Sequence, residues 1–141
     1  MDESPAAGRL QAVAEWVAGA MEWWKIRIEP VLLANGKRST AGIAYELCLP
    51  LIPDGRISLP MLRANPTRAK VTRCRFNRDC VEGHIELRDN QWTCVWEGPR
   101  PAYLEDTRIM AARFVPGELV ALRPHGSSLQ FFRISAQTAL A

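Results

Sequence analysis

A chain of 141 residues with 48% apolar and 23% charged side chains can bury the core of one ordinary domain and is too short for two. No apolar run approaches the roughly 20 residues that span a bilayer as a helix, and Met1-Asp2-Glu3-Ser4-Pro5 lacks the basic start and apolar stretch of a signal peptide. The expectation is therefore one cytoplasmic domain over residues 1–141, with no membrane partner and a net charge of +3 that has to be located before it means anything.

From Pro5, the residues Leu10, Val13, Val17, Met21 and Trp24 recur at offsets of three or four, with Gln11, Glu15, Ala18 and Glu22 opposite. This spacing predicts an amphipathic helix over 5–22, capped by Ser4 and started by Pro5. Trp24 to Glu29 already alternates like a strand, which opens a β-rich body over 25–134. Asn35-Gly36 marks a hairpin turn, and Ile43, Tyr45, Leu47 and Leu49 mark a strand with one apolar face. Ser39-Thr40-Ala41-Gly42 has the serine and glycine of a PilZ-type cyclic-dinucleotide motif, but Lys37 stands where that motif wants an acid, so the reading is not taken. Asp54-Gly55 suggests a tight turn inside a proline-bracketed segment over 50–60, expected at an edge or on a protruding arm.

Residues 67–97 read as a three-stranded antiparallel meander. Val81 to Arg88 alternates for eight residues, and Asp89-Asn90 then offers two positions that tolerate positive φ. With those two as the turn, Arg88 faces Gln91, Leu87 faces Trp92, Ile85 faces Cys94 and Gly83 faces Trp96. The other face collects Glu86 with Thr93, His84 with Val95 and Glu82 with Glu97. A slip of one residue would scramble this sorting. Gly98 to Pro101 turns the chain, Tyr103 to Val115 fits either a short helix or a strand, and a last hairpin pairs 118–123 with 129–134 around His125 to Ser128. Residues 135–141 are expected to fray.

Many short strands with one helix predict a mainly β fold of α+β type, a small antiparallel barrel or sandwich. Pro116-Gly117-Glu118-Leu119-Val120-Ala121-Leu122-Arg123 resembles the entry strand of an SH3-like or OB-like barrel, a resemblance confined to these eight residues.

The charge is local. Arg63, Arg68, Lys70, Arg73, Arg75 and Arg78 lie between Met61 and Arg78 with no acidic residue among them. Removing these six from 18 basic side chains leaves 12 against 15 acidic ones, so the remainder of the chain is net acidic. Arginine grips phosphate through two parallel hydrogen bonds where lysine offers a point charge. These six residues are the candidate nucleic-acid-binding set, and the expected function is a non-enzymatic module that engages a nucleic-acid backbone or another polyanion. The alternative is an accessory or adaptor subunit, or an inhibitor, acting by protein–protein contact in a larger assembly. If Cys74 and Phe76 point into the core, Arg73 and Arg75 face Glu82 and Glu86, and ion pairs there would consume two of the six charges. Phe76, Trp92 and Trp96 then lie inside, which argues against an open stacking surface.

Other chemistry is weakly signalled. Cys48, Cys74, Cys80 and Cys94 have no CxxC spacing, and free thiols are the expectation; a Cys74–Cys80 disulfide fits across a tight turn but is disfavoured by a reducing compartment. Cys74, Cys80, His84 and Cys94 are close in sequence, yet the hairpin register puts Cys94 and His84 on opposite faces, where they cannot share a zinc ion. His84 beside Glu82 and Glu86 has the makings of a general base. A solvated surface histidine accounts for it as well, so no catalytic residue, metal or cofactor is assigned.

Overall fold

The computed structural model describes residues 22–31, 42–99, 104–110, 113–124 and 129–140. Eight strands follow in chain order: β1 (Glu22–Pro30), β2 (Ile43–Leu51), β3 (Lys70–Arg75), β4 (Asp79–Arg88), β5 (Gln91–Trp96), β6 (Thr107–Ile109), β7 (Leu119–Pro124) and β8 (Gln130–Ala139). Each pairs antiparallel with the next, and β8 returns to β1, so the sheet closes into an up-and-down barrel. The expected barrel is present, but it is neither SH3-like nor OB-like: a five-stranded, partly open Greek key is replaced by eight strands in sequential order.

Alternation along the strands fills the interior. Ile26 and Ile28 of β1, Tyr45, Leu47 and Leu49 of β2, Ile85 of β4, Leu122 of β7 and Phe132 of β8 are almost wholly buried. An eight-stranded barrel is just wide enough for side chains to fill it. Tyr45 packs edge-on against Phe132, with ring centroids 5.2 Å apart. Charged side chains such as Lys25, Arg27, Glu46, Lys70, Glu82 and Glu86 take the alternate positions on the outer wall, the reverse of the apolar-out sorting of a membrane barrel. Among the described residues no helix is long and apolar enough to cross a membrane.

The meander over 67–97 forms, and its second hairpin has the anticipated register: Arg88 with Gln91, Leu87 with Trp92, Ile85 with Cys94 and Gly83 with Trp96. Asp89 and Asn90 adopt φ of 48° and 64°, the left-handed pair that a two-residue hairpin turn needs. The last hairpin forms as β7 and β8, and the stretch that fitted helix or strand supplies the short strand β6.

Three expectations are corrected. Glu22, the last residue of the predicted 5–22 helix, is strand, while residues 5–21 lie outside the described residues. The tail does not fray from Ser135: β8 runs to Ala139, pairing Ala136 with Arg27 and Ala139 with Trp24. Its polar sequence hides this because its partner, β1, is more than 100 residues away. A bulge leaves Ser135 unpaired, and its hydroxyl donates to the Arg27 carbonyl at 3.3 Å. Finally, the proline-bracketed segment is more than a turn. Gly55 N–H donates to the Ile52 carbonyl as expected, but Leu59–Ala64 then forms helix α1, with the Ser58 hydroxyl accepting from Met61 N–H and Pro60 in its first turn. A serine cap followed by proline is a helix start, and a 3-10 turn over Pro66–Arg68 leads on into β3.

Gly83 is required by close approach. A Cβ there would lie 2.3 Å from the Val95 carbonyl oxygen and 3.0 Å from the Trp96 Cα, both backbone atoms. Trp96 covers the bare backbone while its Nε1 donates to the Glu105 carbonyl at 3.0 Å. Gly83→Ala is expected to destabilise the fold by about 1 to 3 kcal/mol through overpacking. A lowered urea midpoint checks this, and an unchanged midpoint would show that the β4–β5 pair yields freely.

Candidate nucleic-acid interface

The arginine-rich strand has the opposite phase to the one expected. Residues opposite each other on paired strands share a face, and β2 pairs Leu47 with Val71 and Tyr45 with Arg73. The apolar face of β2 is the interior, so Val71 and Arg73 turn inwards while Cys74 and Phe76 turn out. Arg73 is 7% exposed, and no ion pair holds it among the described residues. Its Nε lacks a hydrogen-bond partner. Burial pushes the Tyr45 phenol up to about 12, although the Arg73 charge beside it pulls the other way. Arg73 therefore leaves the set of cations that an external ligand can reach.

The outward turn of β3 also sets Cys74 directly opposite Cys80, and the two are joined by a disulfide with a Cα–Cα distance of 4.1 Å. This corrects the expectation of free thiols at both positions. Bridges of this kind persist in oxidising compartments, so the cysteines do not support the cytoplasmic placement. Cys48 and Cys94 stay free, and burial raises both thiols, the wholly enclosed Cys94 strongly.

The other five cations are exposed and fall into two groups. Arg63 ends α1, Arg68 lies in the 3-10 turn with its guanidinium 4.8 Å from the centre of the Trp23 ring, and Lys70 begins β3. Arg75 ends β3 and Arg78 sits in the turn beyond it. Lys70 and Arg75 are five residues apart, roughly 17 Å along a strand, so the run forms a cluster at each end of β3 instead of one patch.

None of the five is in an ion pair among the described residues, although Asp79 stands opposite Arg75 in the β3–β4 register; several other acids engage other partners. Glu46 lies near Lys25 and Arg27, Glu29 holds Arg27 at 2.8 Å, and Asp54 holds Arg56 at 2.7 Å. The expected pairing of Arg73 and Arg75 with Glu82 and Glu86 does not occur. Glu86 instead binds Arg88 and His84.

Phe76 is the residue that sequence reasoning misplaced most. It is 62% exposed and sits in the β3–β4 turn with φ 54°, followed by Asn77 with φ 58°. Its N–H donates to the Gly42 carbonyl at 2.6 Å, and its ring covers Gly42 so closely that a Cβ there would collide with it. Arg75 lies 5.8 Å from the ring centre, and Arg27 donates to Asn77 Oδ1 at 3.1 Å. Phe76, Asn77, Arg27, Gly42 and Ala44 help line a cleft of about 290 Å³. The overlooked signal was Arg75-Phe76-Asn77-Arg78-Asp79, whose polar members mark a turn that places its one aromatic at the tip.

His84 is held on the outer wall by Glu97 at Nδ1 and Glu86 at Nε2, each at 2.6 Å. Both nitrogens face carboxylates, so the geometry suits the imidazolium. Burial alone would lower its pKa, but the hydrogen bonds it donates to the two glutamates outweigh that and raise it. Lys70 and Val95 flank it on the neighbouring strands. Cys94 lies inside the barrel, as the hairpin register anticipated, and among the described residues no group of His, Cys, Asp or Glu is arranged to hold a metal.

The chain matches no family model, and no curated protein or solved structure is detectably similar to it.

The His84 clamp carries a pH dependence. A folded pKa raised above the ordinary 6.5 contributes stability that is complete below 6.5 and lost as pH rises through the folded value. Glu86, lowered chiefly by its hydrogen bond to His84, contributes stability present above the ordinary 4.5 and lost as pH falls through its folded value. Thermal melts across pH are expected to show the clamp's contribution between about 4.5 and 6.5, at no more than about 1 kcal/mol because the groups are partly solvated. The decline on the alkaline side disappears in His84→Gln, and an unaltered pH profile in that variant would show that the clamp contributes nothing.

Proposed function

We propose that this barrel is a non-enzymatic binding module for a polyanion, in the first place a nucleic-acid backbone, engaged through Arg63, Arg68, Lys70, Arg75 and Arg78. The observation that supports this reading is that all five are exposed and free of ion pairs among the described residues, while Glu29, Glu46 and Glu86 are paired with other cations. Removing the buried Arg73 from the six leaves four arginines and one lysine. An arginine already satisfied by its own fold would have to break a bond to take a phosphate; these do not. Two clusters at the ends of β3 suit an extended chain that crosses the outer wall, and contact of this type positions the ligand without reading sequence.

A second reading, an accessory or adaptor subunit, is favoured by Met110 and Leu119, apolar side chains 44% and 51% exposed on the β6–β7 side. Closure of the barrel leaves such a subunit no exposed strand edge to dock through. The side-chain wall is what remains for it.

Five phosphate contacts correspond to log affinity falling against log salt with a slope of roughly 3.5 to 4.5. Anisotropy titrations of labelled RNA and DNA at rising salt test this. Charge reversal at Arg68 and Lys70 together is expected to weaken binding to both and flatten the slope by about 2. Absence of binding at low salt, or binding indifferent to those reversals, would sink the reading, and capture of a purified protein partner through Met110 and Leu119 would favour the second.

A further inference from the structure

We infer that the tip of the β3–β4 hairpin is a stacking site for an unpaired nucleobase, with Phe76 as the platform and Arg75 and Arg78 receiving the phosphates on either side. The inference rests on the polyanion reading and narrows it to single-stranded nucleic acid.

Four observations converge on the tip. The first is exposure: Phe76 presents 62% of its surface while Tyr45, Trp96, Phe114 and Phe132 are buried in the core. The second is its backbone. A φ of 54° followed by 58° is the conformation that Asn and Gly adopt cheaply and a bulky aromatic does not, so turn chemistry does not account for a phenylalanine there. The third is rigidity. The ring rests on Gly42, where any side chain would displace it, and the Cys74–Cys80 bridge ties the two strands just beneath. A platform held this way loses little freedom when a ligand settles on it.

The fourth is the surroundings. The adjoining cleft of about 290 Å³ is at the lower limit of small-molecule sites, and Asn77 at its rim offers an amide to the edge of a base. Among the described residues the acid lining the cleft is Glu29, held by Arg27 at 2.8 Å and by the Ser135 hydroxyl at 3.2 Å. Arg75 lies 5.8 Å from the ring centre, Arg78 follows two residues after Phe76 in the same turn, and neither is in an ion pair among the described residues. Aromatic platforms between cations are how proteins hold single strands without sequence preference, since every base has a π-face.

The test compares a labelled single-stranded oligonucleotide, the same sequence as a duplex, and inorganic polyphosphate, each titrated against the intact protein and three variants. Phe76→Leu keeps an apolar cover on Gly42 and is expected to lose roughly 5- to 100-fold in single-strand affinity, with duplex and polyphosphate affinities unchanged. Phe76→Tyr is expected to bind the single strand like the parent. Arg75→Glu combined with Arg78→Glu is expected to weaken all three ligands. If Phe76→Leu binds the single strand as tightly as the parent, or loses all three ligands equally, the stacking site is overturned while the polyanion reading stands. If the parent binds none of them at low salt, both fall. Thermal melts of each variant confirm that the barrel is intact before its affinities are compared.

Discussion

Closure of the sheet on itself is the constraint on which the rest of this molecule depends. Once β8 pairs with β1, no strand of the barrel is left with an unpaired edge, and every residue is committed to one of two sides. Inside is a space filled mainly by apolar side chains, and outside lies most of the charge. The inner face of β2 sets the phase for its neighbours: Tyr45 and Leu47 are buried, so the residues opposite them on β3 are drawn inwards whatever their chemistry. Val71 suits that position. Arg73 does not, and it is buried against Tyr45 because the register leaves it nowhere else to go.

That commitment redistributes the positive charge. A run of six cations becomes one buried arginine and two exposed clusters separated by the length of β3. The same half-turn that takes Arg73 inside brings out Cys74, which meets Cys80 in a disulfide, and it brings out Phe76. An aromatic that would have been a core residue in the other phase is instead presented at a hairpin tip between two arginines. Burial and exposure of these residues are one event, and the polyanion proposal and its narrowing to single strands both follow from it.

The acidic side chains complete the pattern. Along the outer wall Glu97, His84, Glu86, Arg88 and Asp106 form a continuous series of bonds, and Arg27 is held by Glu29 with Glu46 nearby. Each such pair contributes little to stability in water. Their larger effect is on the distribution of free charge, since carboxylates satisfied by these partners are not spent on Arg63, Arg68, Lys70, Arg75 or Arg78. The wall is thereby divided into a self-neutralised part and a part whose cations face solvent.

Several features were legible in the chain alone. The β4–β5 register follows from eight alternating residues and an Asp-Asn turn, because period-2 alternation admits one sorting and a slip destroys it. The strands β1, β2, β7 and β8 and the mainly β class were readable on the same grounds, and Ser58 and Pro60 carried a helix signal that the surrounding prolines obscured. What only the tertiary structure decided was the phase of β3, the closure of the barrel and the extent of β8. Lys70 to Arg75 is polar at nearly every position, so its own sequence barely distinguishes the two faces, and the choice passes to Tyr45 and Leu47 on a strand some 25 residues earlier. Residues 135–139 read as a polar tail because the edge they complete belongs to the other end of the chain. Local pattern determines a strand when one face is plainly apolar; where neither face is, its place depends on a partner distant in sequence.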